Sequence, residues 1–301
     1  MSVPLANLDV WSGAILPAVD ETLRRLLPAK WAEYQFMRYA LLECILLAPI
    51  CAAMGVKVVN FRMAFFSDAI AHSAFAGVAL GLLLQESMPS ADPRLMLVAF
   101  GLLVGLAIAY VRRRTDLSND TVIGVSLSTV VALGIAVVTR SGAARTTQFQ
   151  GYLYGDILNI DATDLGLTTL MAAAVLIFML TSFNRLILVG LNSELAHSRG
   201  IRVRLFDYLF ALLLALVVTI SIRTAGILLV TALLVIPAAT ARNLARSAGG
   251  MFWWAIALSL VSGVTGTLAS FSDQLANVGT GAVIVLANAV LFGLSTLLRQ
   301  R

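Results

Sequence analysis

The chain has 301 residues, 59% of them apolar and only 12% charged, with a mean hydropathy of +0.92 and a net charge of +5. An average soluble domain carries about 25% charged residues, so this chain cannot clothe a folded surface in water, and lipid must replace water around much of it. Nucleic acid is excluded as a partner, because the basic residues sit in short clusters between apolar runs and form no aromatic-interleaved basic face.

The first 30 residues include Asp9, Asp20, Glu21, Arg24 and Arg25 and no long apolar run, which is not the pattern of a cleaved signal. Val10–Lys30 reads as an amphipathic helix at the membrane surface. Residues 1–34 are therefore expected to form an extracytoplasmic or interfacial segment ahead of a transmembrane domain over residues 35–301. A span needs about 20 mostly apolar residues. Nine runs qualify: Phe36–Met54, Met63–Leu84, Leu95–Val111, Thr121–Thr139, Leu165–Phe183, Leu205–Ile222, Gly226–Ala241, Phe252–Ala269 and Val278–Leu298. The fold class is all-α, a polytopic helical bundle of about nine spans, with eight to ten as the range. Cys44 and Cys51 lie in the first run and read as small buried hydrophobes.

Lysine and arginine set the orientation. The links holding Lys57 and Arg62, Arg112–Arg114, Arg185 to Arg204, and Arg242 and Arg246, with the tail carrying Arg299 and Arg301, contain thirteen of the 21 basic residues. The opposite links hold only Arg94, Arg140, Arg145 and Arg223. The basic side is expected to be cytoplasmic, with the C-terminus inside.

The strongest chemical signal is Ser67-Asp68-Ala69-Ile70-Ala71-His72-Ser73 in the second run. A spacing of four puts Asp68 and His72 on one helix face, and ionisable groups within a span usually face a partner, a bundle interior or a pathway. Ala76 continues that face and Gly77 adjoins it, so nothing bulky blocks an ion. Carboxylate plus imidazole suits zinc or manganese. Two ligands are too few for zinc, which prefers four, and a homodimer would bring two Asp and two His to its axis. The plainer reading is that Asp68 only orients or neutralises His72. Small residues recur at Ala69, Ser73, Gly77 and Gly81, and at Gly101 and Gly105; such stripes serve close helix packing, within a chain or at a dimer seam.

Glu43, in the first run, can assist an ion path, pair with a neighbouring helix, or pair with Arg38. His197 lies in a link and is expected at the surface. Pro237 interrupts the seventh run and is expected to kink it, which either lines a cavity or improves packing. Between the fifth and sixth runs, Asn192 or Ser193 can cap a short helix, Glu194 suits its dipole, and Gly200 can close it in a left-handed conformation. That helix is a tidy connector or a docking element for a cytoplasmic motor. The motor is not in this chain: G-x-x-x-x-G-K-[ST] does not occur, and the only lysines are Lys30 and Lys57. H-E-x-x-H and G-x-S-x-G are also absent, so no enzyme activity is expected.

Four segments together resemble the membrane subunit of zinc/manganese ABC importers, the ABC-3 metal-ion permease family. They are Arg62-Met63 with Ser67–His72 and Gly77–Ala79; Tyr152–Leu158; Glu194-Leu195-Ala196 with Gly200; and Gly226–Val230 running to Ile236–Arg242. The resemblance implies a type II ABC-importer-like fold in a bacterial inner membrane and a second copy of the chain. It also implies cytoplasmic ATP-binding subunits that use the ATP, and an extracytoplasmic metal-binding protein. On this likeness Asp68 and His72 coordinate Zn2+ or Mn2+ as substrate, with no intrinsic cofactor, and Ser193, Glu194, Leu195, Ala196 and Gly200 belong to the helix that couples to the ATPase. Ser73, Gly77 and Pro237 are kept as path or packing residues, and Glu43 receives no role from the family. Tyr152–Leu158 looks slightly more like the zinc members. Two rival readings are a secondary metal or proton-coupled transporter, which needs no ATPase, and an ABC permease for a larger chelate such as a siderophore.

Overall fold

The structure, a computed structural model, describes residues 16–26, 33–87, 93–141, 157, 160–191, 193–272, 275 and 278–298. Its described residues form ten helices and no strand: α1 (Leu16–Leu26), α2 (Gln35–Asn60), α3 (Ala64–Ser87), α4 (Pro93–Arg114), α5 (Asn119–Ser141), α6 (Ala162–Leu191), α7 (Ser193–Ser198), α8 (Val203–Leu244), α9 (Ala248–Ser270) and α10 (Thr280–Leu298). Eight of these are long and apolar enough to cross a membrane.

Helix α8 accounts for two of the nine expected runs. A straight helix of its 42 residues would be about 63 Å long, twice the roughly 30 Å of a hydrocarbon core. It breaks at Gly226, whose φ of 77° and ψ of 164° are not helical. Its beginning lies at the basic end of the bundle, where Asp207 accepts a 2.6 Å hydrogen bond from Arg113 in the last turn of α4. At the break the chain is at the opposite end, with Arg223 3.3 Å from Asp164 in the first turn of α6. By Arg242 and Ala245 it is back at the basic end, around one cavity with Lys57 and Phe61. Residues 203–225 and 227–244 are thus two antiparallel arms, and the chain crosses nine times.

The two arms of α8 form the centre. Helix α8 packs on α2, α3, α4, α6, α9 and α10; its first arm meets α4 at Thr219 and Ala215, and its second meets α2 at Leu234. Small residues bring these backbones together, as membrane packing without a hydrophobic drive requires. Gly77 lies against Leu97 and Met96, Gly81 against Pro93, Gly101 against Thr219 and Gly105 against Ala215. The two small-residue stripes therefore serve packing within one chain. Hydroxyls add interhelical bonds: Ser259 donates to the Ala48 carbonyl at 2.9 Å, and Ser262 to Asn288 Oδ1 at 2.8 Å.

One expectation changes. Helix α2 runs past Met54 to Asn60, so Lys57 is a buried residue of its last turn rather than part of a link. Pro237 lies within helical backbone, and Gly226 is the non-helical residue of α8. Proline removes the hydrogen bond to the Leu233 carbonyl. Cys44 and Cys51 are free and buried, as read.

Candidate metal site

The link that delivers α3 is unusually tight. Arg62 takes a left-handed φ of 54°, while the Met63 amide donates to the Val58 carbonyl at 2.9 Å and the Arg62 amide to Val59 at 3.2 Å. This is a Schellman closure with arginine where glycine is usual, at a cost of about 1–2 kcal/mol. The Arg112 side chain contacts the Met63 sulfur, tying the start of α3 to the end of α4. Asp207 then gathers Arg112 and Arg113, at 3.9 and 2.6 Å.

From that anchor, Asp68 lies about 6 Å and His72 about 12 Å along the axis of α3 from Ala64. Both are half-buried, whereas Ser67, Ala69, Ile70, Ala71, Ser73, Ala74 and Ala76 are all buried. With Phe65, which is 57% exposed, the pair forms the one stripe of the helix's first half that the protomer leaves uncovered. Among the described residues neither side chain has a hydrogen-bond or ion-pair partner, and no three His, Cys, Asp or Glu side chains converge. Asp68 is therefore not hydrogen-bonded to His72, as the plainer reading would require. Ser73 is turned inward, donating to the Ile70 carbonyl at 2.6 Å, and Gly77 is packed under α4, so both are packing residues.

Glu43 is fully buried elsewhere in the bundle. Thr168 of α6 donates to its Oε1 at 2.8 Å. Arg38 is not its partner, being held by Asp20 of α1 through 2.6 and 2.7 Å bonds. Of the three roles read for Glu43, pairing with a neighbouring helix is the one found. Its Oε2 has no partner. Thr168→Val should leave a second carboxyl oxygen unsatisfied and cost about 1–3 kcal/mol, read as a lower thermal midpoint of the purified protein; an unchanged midpoint would remove Thr168 from the network.

Helix α7 closes as its sequence suggests. Gly200 has a φ of 74°, its amide donates to His197 at 2.9 Å and that of Ile201 to Ala196 at 3.1 Å, which is the Schellman pattern. Ala196 is buried, Glu194 and His197 are exposed, and Leu195 is 46% exposed. A cavity of about 560 Å³ beside it is lined by Arg113, Glu194, His197 and residues 202–205. Asn192 and the motif Tyr152–Leu158, apart from Ile157, lie outside the described residues.

Sequence reading missed the left-handed Arg62, the burial of Lys57 and the Arg223–Asp164 pair. None carries a local signal: Arg62 is not a glycine, and the last two arise only when distant helices meet.

The family model of the ABC 3 transport family matches residues 33–299. The chain belongs to the ABC 3 transport family. It is 35% identical over 272 residues to the high-affinity zinc uptake system membrane protein ZnuB of Haemophilus influenzae, covering 89% of this chain and 99% of that protein. It is 30% identical over 264 residues to the manganese import system permease protein ScaB of Streptococcus parasanguinis, covering 87% and 90%. Among solved structures, PsaBC from Streptococcus pneumoniae in complex with Fab superimposes with a TM-score of 0.72 at 30% identity, covering 87% of this chain and 91% of that one. The resemblance read from four short motifs thus extends over almost the whole transmembrane region.

Proposed function

We propose that this chain is the membrane permease of an ATP-driven importer of divalent metal ions, zinc in preference to manganese. The observation that carries the site is the Asp68–His72 pair, left uncovered and unpaired on α3. A carboxylate and an imidazole facing outward from a membrane helix demand a partner or an aqueous path. A second copy related by a two-fold axis supplies two more ligands, giving the four that zinc prefers. A site shared between copies can also be opened by their relative movement, which suits an ion that must leave again. Family membership and the named zinc and manganese relatives support the same reading, and the ZnuB likeness leans it toward zinc.

The basic end, with its clusters of arginine, is then cytoplasmic and the C-terminus lies inside. Residues 1–34 lie on the outer side, with α1 tied to α2 through Asp20 and Arg38. Helix α7, with exposed Leu195 beside a charged cavity, is where a cytoplasmic ATP-binding subunit docks. An extracytoplasmic binding protein delivers the ion at the opposite end.

The direct test is metal content of the assembled complex trapped with zinc. One tightly held zinc per two permease chains, with only nitrogen and oxygen ligands at about 2.0–2.2 Å by X-ray absorption, is expected. One zinc per chain, or sulfur in the coordination sphere, would overturn the shared Asp68/His72 site.

A further inference from the structure

The cavity at the basic end, between α2, α6, α8 and α9, has a volume of about 320 Å³ and no part in the metal path. Three cationic side chains line it: Lys57, Arg242 and Arg246. Among the described residues no carboxylate lines it, and none of the three is in an ion pair. Lys57 is only 2% exposed, and its ammonium, 5.2 Å from the centre of the Phe183 ring, has no hydrogen-bond acceptor among the described residues. A buried cation without a counter-charge is costly, and one lining a cavity marks where an anion belongs.

The backbone adds to this field. Helix α9 begins at the same cavity, and the Ser247 side chain accepts from the Gly250 amide at 3.1 Å. The earlier amides, of Ala248 and Gly249, are left with the positive end of the helix dipole, a ready site for an anionic oxygen. Below the cations the walls are apolar, with Leu186, Ile187 and Met251. Next along α9 come Trp253 and Trp254, 68% and 50% exposed. Exposed tryptophans mark the headgroup level of a bilayer, which puts the start of α9, and the cavity it borders, near that level.

We propose that this cavity binds the phosphate of an anionic phospholipid headgroup, with Lys57 beneath it, Arg242 and Arg246 at the rim and the first amides of α9 alongside. Basic pockets between transmembrane helices suit such headgroups, and each cation near the surface strengthens binding by about fivefold. The lipid would brace α2 against the second arm of α8 and the start of α9.

The test is native mass spectrometry of the assembled complex taken from nanodiscs of phosphatidylglycerol mixed with phosphatidylcholine. Wild type should retain phosphatidylglycerol selectively, Arg242→Gln should retain it about fivefold less, and Arg242→Gln with Lys57→Met roughly 25-fold less. Arg242 is exposed, so its variant keeps the test alive if the buried substitution fails to fold. Equal retention of both lipids, or retention unchanged in the Arg242 variant, would overturn the proposal. So would stabilisation by inorganic phosphate with no response to phosphatidylglycerol, which assigns the pocket to a free anion. Loss of the ATP-binding subunit with lipid retention intact would assign the cations to that subunit and equally overturn it. None of these outcomes touches the metal stoichiometry, which tests the import reading separately.

Discussion

Asp68→Ala and His72→Ala should each reduce zinc accumulation, in cells that depend on this permease, to the level of cells lacking it. In a homodimer a single substitution removes two of four ligands, because both copies carry it. Loss of an outer partner of a metal ligand alone costs about 10–100-fold in affinity or activity, and loss of two direct ligands must exceed that. The conservative variants separate coordination from structure. Asp68→Asn keeps the shape and hydrogen-bonding reach of the side chain but loses the charge that holds a divalent cation. If Asp68 had a packing or orienting role, the asparagine variant would transport; if it is a ligand, the variant fails like alanine. Both residues sit on an uncovered stripe with no partner among the described residues, so their replacement should leave membrane insertion and complex assembly intact. Normal uptake by a well-inserted alanine variant at either position would end the assignment.

The Asp68–His72 pair was legible in the sequence because its signal is local. Four residues of spacing fix the common face, and a charge inside an apolar run stands out without a structure. The short helix α7 was legible for the same reason, since Gly200 announces its own left-handed closure. The nine crossings were also readable, and the break between the sixth and seventh runs fell at Gly226, where the chain turns. Contacts that depend on which helices become neighbours were not. Glu43 offered three roles, and only the meeting of α2 with α6 shows its carboxyl bonded to Thr168 of a neighbouring helix. Lys57 looked like a link residue because nothing in its neighbours shows that α2 continues to Asn60. Proline is ambiguous in a sequence: Pro237 stands within helical backbone, and the non-helical residue of its helix is Gly226. Small-residue stripes carry the same ambiguity: their spacing says that a backbone comes close, and only Thr219, Ala215 and Leu97 say that it is a backbone of the same chain.

Gly226→Ala should destabilise the protein more than any other single methyl addition on an uncrowded helix face. With φ near 77° and ψ near 164°, the residue occupies a region open essentially to glycine alone, where a side chain costs of order 1–3 kcal/mol. The strain cannot be relieved by straightening, because a continuous α8 would be twice as long as the membrane is thick. Nor can it spread along the first arm without moving Arg223 from Asp164. That contact joins α6 to the turn, so the backbone penalty and the loss of the ion pair add. The expected result is a thermal midpoint several degrees lower and a smaller folded fraction in detergent, followed by intrinsic tryptophan fluorescence. Gly124→Ala is the matched control: Gly124 lies inside α5 with nothing within 4 Å of an added methyl, and alanine is favoured over glycine within a helix by up to about 1 kcal/mol. It should be neutral or stabilising. If Gly226→Ala melts with wild type, the chain does not reverse at Gly226, and the ninth crossing goes with it. If Gly226→Ala alone falls, the turn that seats Arg223 against Asp164 depends on the one residue in α8 without a side chain to clash.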